Sequence, residues 1–158
     1  MLRANVVSDG DPLEIYTDKG GEVIFKKYSP VGELAGFASQ ICEALHRSTD
    51  AVAAVCDRDA VIAVAGGGKR ELLEKPLSPE LEQLMEQRRV YRRESGTKAL
   101  PVVSGDGPWS VAVAAPVLSQ GDLLGCVLFA QPDSAPADEL EFKLAETVAG
   151  FLGGQMEA

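Results

Sequence analysis

Two pairs of apolar runs constrain this chain more than any other feature. AVAAVC and AVIAVA flank the polar stretch Asp57-Arg58-Asp59, and VAVAAPVL at 111–118 and LLGCVLFA at 123–130 flank SQGD at 119–122. Each run is strand-sized and falls well short of the ~18 residues that a membrane helix needs. Two apolar runs joined by a tight polar turn form the pattern of a β-hairpin. Strands are therefore expected at 51–57 and 60–65, with a second, longer hairpin built from 109–118 and 123–132. Runs this uniformly apolar read as strands buried on both faces, so something must cover each side of the sheet.

Helices on either side supply that cover. Leu34, Phe37, Ala38, Ile41, Cys42 and Leu45 follow the 3.6-residue period, with Ser29 and Pro30 placed to start the helix and its end expected near Ser48. Leu140, Leu144, Val148, Phe151 and Leu152 mark the apolar face of a last helix. Between the hairpins, KRELLEKPL reads as a short helix stopped by Pro76, and SPELEQLMEQRR as a helix capped by Ser78 with Leu81, Leu84 and Met85 inward. VYRRES reads as a short strand and KALPVVSGDGP as a strand and loop. The order helix, hairpin, helices, strands, hairpin, helix describes an α+β domain, an antiparallel sheet with helices packed on it. The two end helices are placed to pack on one sheet face or to pair across a two-fold axis in a four-helix bundle.

Residues 1–30 are a different unit. Leu13, Ile15, Val23 and Phe25 alternate with polar neighbours about a DKGG turn at 18–21, which predicts a hairpin ended by Pro30. A lone two-stranded hairpin is marginal in water, so this one needs a pairing partner.

Charge and single residues narrow the function. The net charge is -9, of which residues 1–30 carry -1 and the remainder -8. Such an acidic surface repels phosphate backbones. The start of the chain lacks the apolar stretch of a signal peptide. Three widely spaced cysteines without a CxxC suit a reducing cytoplasm, so a cytoplasmic protein with no membrane segment is expected. The single histidine, His46, excludes a His-pair zinc site and reads as an exposed helix-end residue. GGGK at 66–69 is an incomplete phosphate loop, with Ala63 and Arg70 where glycine and a hydroxyl residue are required; a strand-to-helix connection is the better reading. Asp57-Arg58-Asp59 reads as a turn rather than a carboxylate pair. Cys42, Cys56 and Cys126 lie in apolar stripes and read as small buried hydrophobes. Trp109 opens a strand and reads equally as core or as a pocket rim. No metal site, no cofactor and no catalytic residue is expected.

Several segments, in this order, resemble a known combination. GDPLEIYTDKGGEVIFKKYSPVGEL, CDRDAVIAV followed by GGGKRELLEKPLS, and ETVAGFLGGQME are similar to AbrB-type transcription regulators, among them sporulation regulators, that carry a C-terminal GAF domain. The resemblance divides the chain into 1–29, the second half of an AbrB-type swapped-hairpin domain, and 30–158, a GAF domain. The basic first half of the swapped hairpin, with its G-R-[VI]-x-[IL]-P-x-[ED] pattern, has no counterpart in these 158 residues. The implied function is a signal-sensing GAF domain of a sporulation transcription regulator, not an enzyme, that binds an unknown small-molecule ligand. The segments expected around that ligand contribute Val64, Ala65, Gly66, Leu84, Trp109, Val111, Val113 and Gly125. Their small apolar character suits an uncharged or amphipathic metabolite, or a space filled by side chains. Leu34, Phe37, Ile41, Leu45, Leu144, Val148 and Phe151 are expected to form a homodimer or higher homo-oligomer. Lys26 and Lys27 are the basic pair left for DNA, which is expected to bind only where the other half of the hairpin domain is supplied. The alternatives are a small-molecule enzyme such as a free methionine sulfoxide reductase, or a non-DNA-binding dimerisation partner of a full-length regulator.

Overall fold

The protein is seen here in a computed structural model, which describes residues 35–155, apart from 106 and 134, together with the strands at 13–17 and 23–27. Those first strands, β1 (Leu13–Thr17) and β2 (Val23–Lys27), pair antiparallel with Ile15 opposite Phe25, as the alternation predicts. They form a sheet of their own. The proposed cap at Ser29 and the helix residue Leu34 lie outside the described residues.

The second sheet has five antiparallel strands in the order β4-β3-β7-β6-β5. β3 (Val52–Cys56) and β4 (Val61–Ala65) form the first hairpin. The Asp57 carboxylate makes its turn by accepting the amides of Asp59 at 2.7 Å and Ala60 at 2.8 Å. β6 (Ser110–Ser119) and β7 (Asp122–Gln131) form the second. Gln120 and Gly121, at φ 53° and 85°, give that turn the two left-handed residues that match strand twist. β5 (Tyr91–Arg92) is a two-residue edge strand on β6. The strand expected in KALPVVSGDGP is instead a strap, held by single bridges of Leu77 to Val103 and Pro101 to Ser110. Its prolines and glycines interrupt any longer ladder.

The sheet is covered on both faces. Helices α1 (Ala35–Thr49) and α4 (Glu139–Gln155) lie on one. They bring Ala38, Cys42, Leu45, Ala145, Ala149 and Leu152 onto Ala53, Val55, Ala63, Ala65, Val113, Ala115, Val117, Val127 and Phe129. The other face carries a short helix α2 (Lys69–Leu72), then α3 (Pro79–Glu86) and the strap. There Leu72, Leu77, Leu81, Met85, Val102 and Val103 pack on Val61, Val64, Val111, Leu128 and Ala130. Buried Ser78 fastens this cover: its hydroxyl accepts from Leu81 N at 3.0 Å, capping α3, and donates to the Pro101 carbonyl at 2.7 Å. Asp50, at φ 61°, ends α1 with its amide on the His46 carbonyl at 2.7 Å.

Candidate ligand-binding site

The least regular part of the covered face is where β4 runs into α2. Gly66, Gly67 and Gly68 all take positive φ, at 97°, 130° and 69°. Three such residues in a row need glycine, because a Cβ is strained there. Space demands it too. A Cβ on Gly68 would lie 2.7 Å from the Trp109 ring, and one on Gly66 would lie 2.5 Å from His46 Nδ1. The tryptophan therefore lies against the glycine loop. Its indole Nε1 is buried with no acceptor among the described residues. Two hollows that share Gly107 and Pro108 lie by this ridge of Trp109 on the glycine loop, and Trp109 lines the first of them. One, of about 260 Å³, is lined by Ala99, Pro101, Gly107, Pro108, Trp109, Ser110, Pro132 and Asp133. The other, of about 370 Å³, is lined by Arg70, Glu71, Lys75, Val103, Ser104, Gly107 and Pro108.

His46 is half-buried rather than exposed, and its Nδ1 donates to the Ala51 carbonyl at 2.8 Å. That bond fixes the ring across the end of α1, beside Gly66.

The sheet separates the eight residues expected around a ligand. Val64 and Val111 are buried on the face under α3 and the strap, with Leu84 and Trp109 packed against them. Ala65 and Val113 are buried on the opposite face, under α1 and α4. A register shift between Val111 and Val113 breaks the period-two alternation and turns Ala112 and Val113 to the same side. Gly66 is exposed, within the glycine loop. Gly125 is buried at a close crossing, where a Cβ would overlap the Cys56 carbonyl oxygen. Trp109 and Gly66 are thus the members found at the ridge. Gly68 and Pro108 join them there; the run of glycines was the sequence signal for Gly68, and nothing in the sequence singled out Pro108.

The thiols are all buried and free. Burial pushes the Cys42 thiol up to about 12. A hydrogen bond with Cys126, and then burial, hold Cys56 well above the usual thiol range. Among the described residues no group of three His, Cys, Asp or Glu side chains is placed to hold a metal ion. No helix among them is long and apolar enough to cross a membrane.

The predicted association residues of the helix pair range from the core to the surface. Leu45 is buried, while Ile41, Leu144 and Val148 are half-buried. Phe37 and Phe151 are 41% and 50% exposed, with ring centroids 6.3 Å apart, and Leu140 is 51% exposed.

Comparison with known proteins gives this geometry a context. A family model described as "Stage V sporulation protein T C-terminal, transcription factor" matches residues 33–157. Stage V sporulation protein T of Bacillus subtilis (strain 168) is 42% identical over 152 residues, 96% of this chain and 84% of that protein. Two solved structures share the fold at low identity. The cofactor-binding GAF domain of the nutrient sensor CodY from Clostridium difficile is 14% identical with a TM-score of 0.53, over 75% of this chain and 83% of that one. The type II free methionine-R-sulfoxide reductase from Thermoplasma acidophilum is 14% identical with a TM-score of 0.57, over 80% and 94%. These likenesses identify an α+β, GAF-like fold and nothing about chemistry.

Proposed function

The chain belongs to the family of stage V sporulation protein T C-terminal transcription factors, and on that premise we propose that its GAF-like domain senses a small ligand beside Trp109 and dimerises through α1 and α4. One observation carries the ligand reading. The Trp109 indole N–H is buried with no acceptor among the described residues, beside a hollow that Trp109 lines. A buried donor left unpaired costs about 1–3 kcal/mol, so a ligand that offers an oxygen acceptor gains a bond the protein leaves unmade. The hollow that Trp109 lines is built mainly from Pro101, Pro108, Pro132 and small residues, with Asp133 its one charged side chain, which favours an uncharged or amphipathic molecule there; the neighbouring hollow is the charged one, with Arg70, Glu71 and Lys75.

In this proposal residues 1–29 act as the second half of an AbrB-type hairpin domain, and DNA binding requires the first half. The β1–β2 hairpin and its terminal Lys26 and Lys27 support the assignment. The GAF-like domain of residues 30–158 then acts on that unit by shifting the hairpins when ligand binds. The chain's expected place is the cytoplasm, where its target DNA lies.

Trp109 is the single tryptophan of the chain, so its fluorescence reports the ridge directly. Titration with a panel of uncharged and amphipathic metabolites is expected to yield a compound that shifts the emission saturably. Trp109→Phe keeps an aromatic ring and loses the N–H. It is expected to weaken that compound about tenfold by calorimetry. A panel without a saturable response, or a compound indifferent to Trp109→Phe, overturns the proposal.

A further inference from the structure

We propose that Cys56 and Cys126 are a dithiol that a small hydroperoxide converts into an intramolecular disulfide, a modification site between β3 and β7.

The pairing register sets the two residues directly opposite each other on neighbouring antiparallel strands. Facing residues in such a ladder have Cα atoms about 4.5 or 5.5 Å apart, and a disulfide spans about 4.4–6.8 Å. Both side chains belong to the cluster under α3, so they point to the same side of the sheet. The nearness of Cys126 is also the first cause of the raised Cys56 thiol, ahead of burial. Cys42 has no part in this: it packs on the opposite face, under the helix pair. The three free thiols therefore divide into one facing pair and one isolated group.

Access explains which oxidant suits the site. Neither sulfur reaches solvent in the closed structure. Met85 and Leu123 pack in the same cluster as the pair. The same two side chains also line a cleft of about 620 Å³, together with Arg58, Asp59 and Glu82. A reagent in that cleft meets apolar side chains before the thiols, which favours a small neutral molecule over a charged one. Oxidation is slow while α3 stays seated and speeds up when it lifts, since protonated, buried thiols are poor nucleophiles.

The chemistry balances. One sulfur takes the distal oxygen of the hydroperoxide as its O–O bond breaks, giving a sulfenic acid and releasing water or an alcohol. The second sulfur attacks the first, the S–S bond forms, and the sulfenic oxygen leaves with the remaining thiol proton as water. The dithiol gives up two electrons and the peroxide accepts them.

The test treats the native full chain with hydrogen peroxide, quenches, denatures, alkylates and weighs the product. The expected wild-type result is a fall from three alkylated thiols to one, with a Cys56–Cys126 bridged peptide on digestion. Cys42→Ser is expected to fall from two to none. Cys56→Ser and Cys126→Ser are expected to form no internal bridge. Native wild-type protein that keeps three alkylatable thiols, under peroxide that oxidises the urea-unfolded chain, overturns the proposal. So does a bridge that includes Cys42.

Discussion

Gly68 shows how much one residue position decides in this protein. Its left-handed backbone already disfavours any side chain, by about 1–2 kcal/mol. The Trp109 ring, 2.7 Å from where a Cβ would stand, adds an overlap that the rigid indole has to relieve by moving. Gly96 has the same left-handed backbone, at φ 80°, and open space around it. Gly68→Ala is therefore expected to cost about 1–3 kcal/mol more than Gly96→Ala in urea unfolding, and to shift tryptophan emission in the folded protein, which Gly96→Ala leaves alone. Equal losses in the two variants contradict the packing of Trp109 on the loop. The run of glycines announced a break in regular structure from sequence alone. It did not announce which side chain lies on it, because Trp109 comes from the start of a strand far along the chain. For the same reason Trp109 read equally as core or rim.

At the scale of elements, α4 corrects the assumption that the largest apolar residues face inward. Leu140, Leu144, Val148, Phe151 and Leu152 form its visible stripe, yet the buried positions are Ala145, Ala149, Leu152 and Gly153. The helix sits so close to β6 that a Cβ on Gly153 would overlap the Leu118 carbonyl oxygen. Mostly small residues fit that seam, and of the large ones Leu152 is buried while the others are turned to its flanks. The neighbouring glycines separate the two effects. Gly150 and Gly154 have nothing within 4 Å of where an added methyl group would stand. Replacing either with alanine is expected to stabilise by up to about 1 kcal/mol through helix propensity. Gly153→Ala is expected to destabilise despite the same propensity gain, because helix and strand must move apart. Urea midpoints of the three variants check this, and a stabilising Gly153→Ala contradicts the close seam. The element order, apart from the strand expected in KALPVVSGDGP, both long hairpins and the Ser78 cap were legible in advance because they rest on local pattern. The shift at Val111 and Val113 was not, since a bulge belongs to the pairing of two strands rather than to either one.

For the molecule as a whole, the turned-out residues of α4 meet those of α1. Phe37 and Phe151 meet at a tilt, with ring centroids 6.3 Å apart and about half of each residue in water, and Leu140 is exposed on the same helix as Phe151. Exposed aromatics grouped on one side of a helix pair make a contiguous apolar patch of the kind that marks an interaction surface, and burial against a second copy takes that area out of water. The molecule's acidity works against association, at net charge -9 per chain, so the proposed dimer has to be held by apolar area and strengthened by salt. Phe37→Asp and Phe151→Asp each put a charge into the middle of such an interface. Neither side chain belongs to the buried core, since about half of each is exposed. Sedimentation equilibrium is therefore expected to show a wild-type dimer that tightens in high salt, and aspartate variants that are monomeric with an unchanged far-UV spectrum. A wild-type monomer, or aspartate variants that still dimerise, places the association elsewhere. Loss of the folded spectrum in the variants instead assigns Phe37 and Phe151 to the core of the single chain, and removes the apolar area on which the dimer depends.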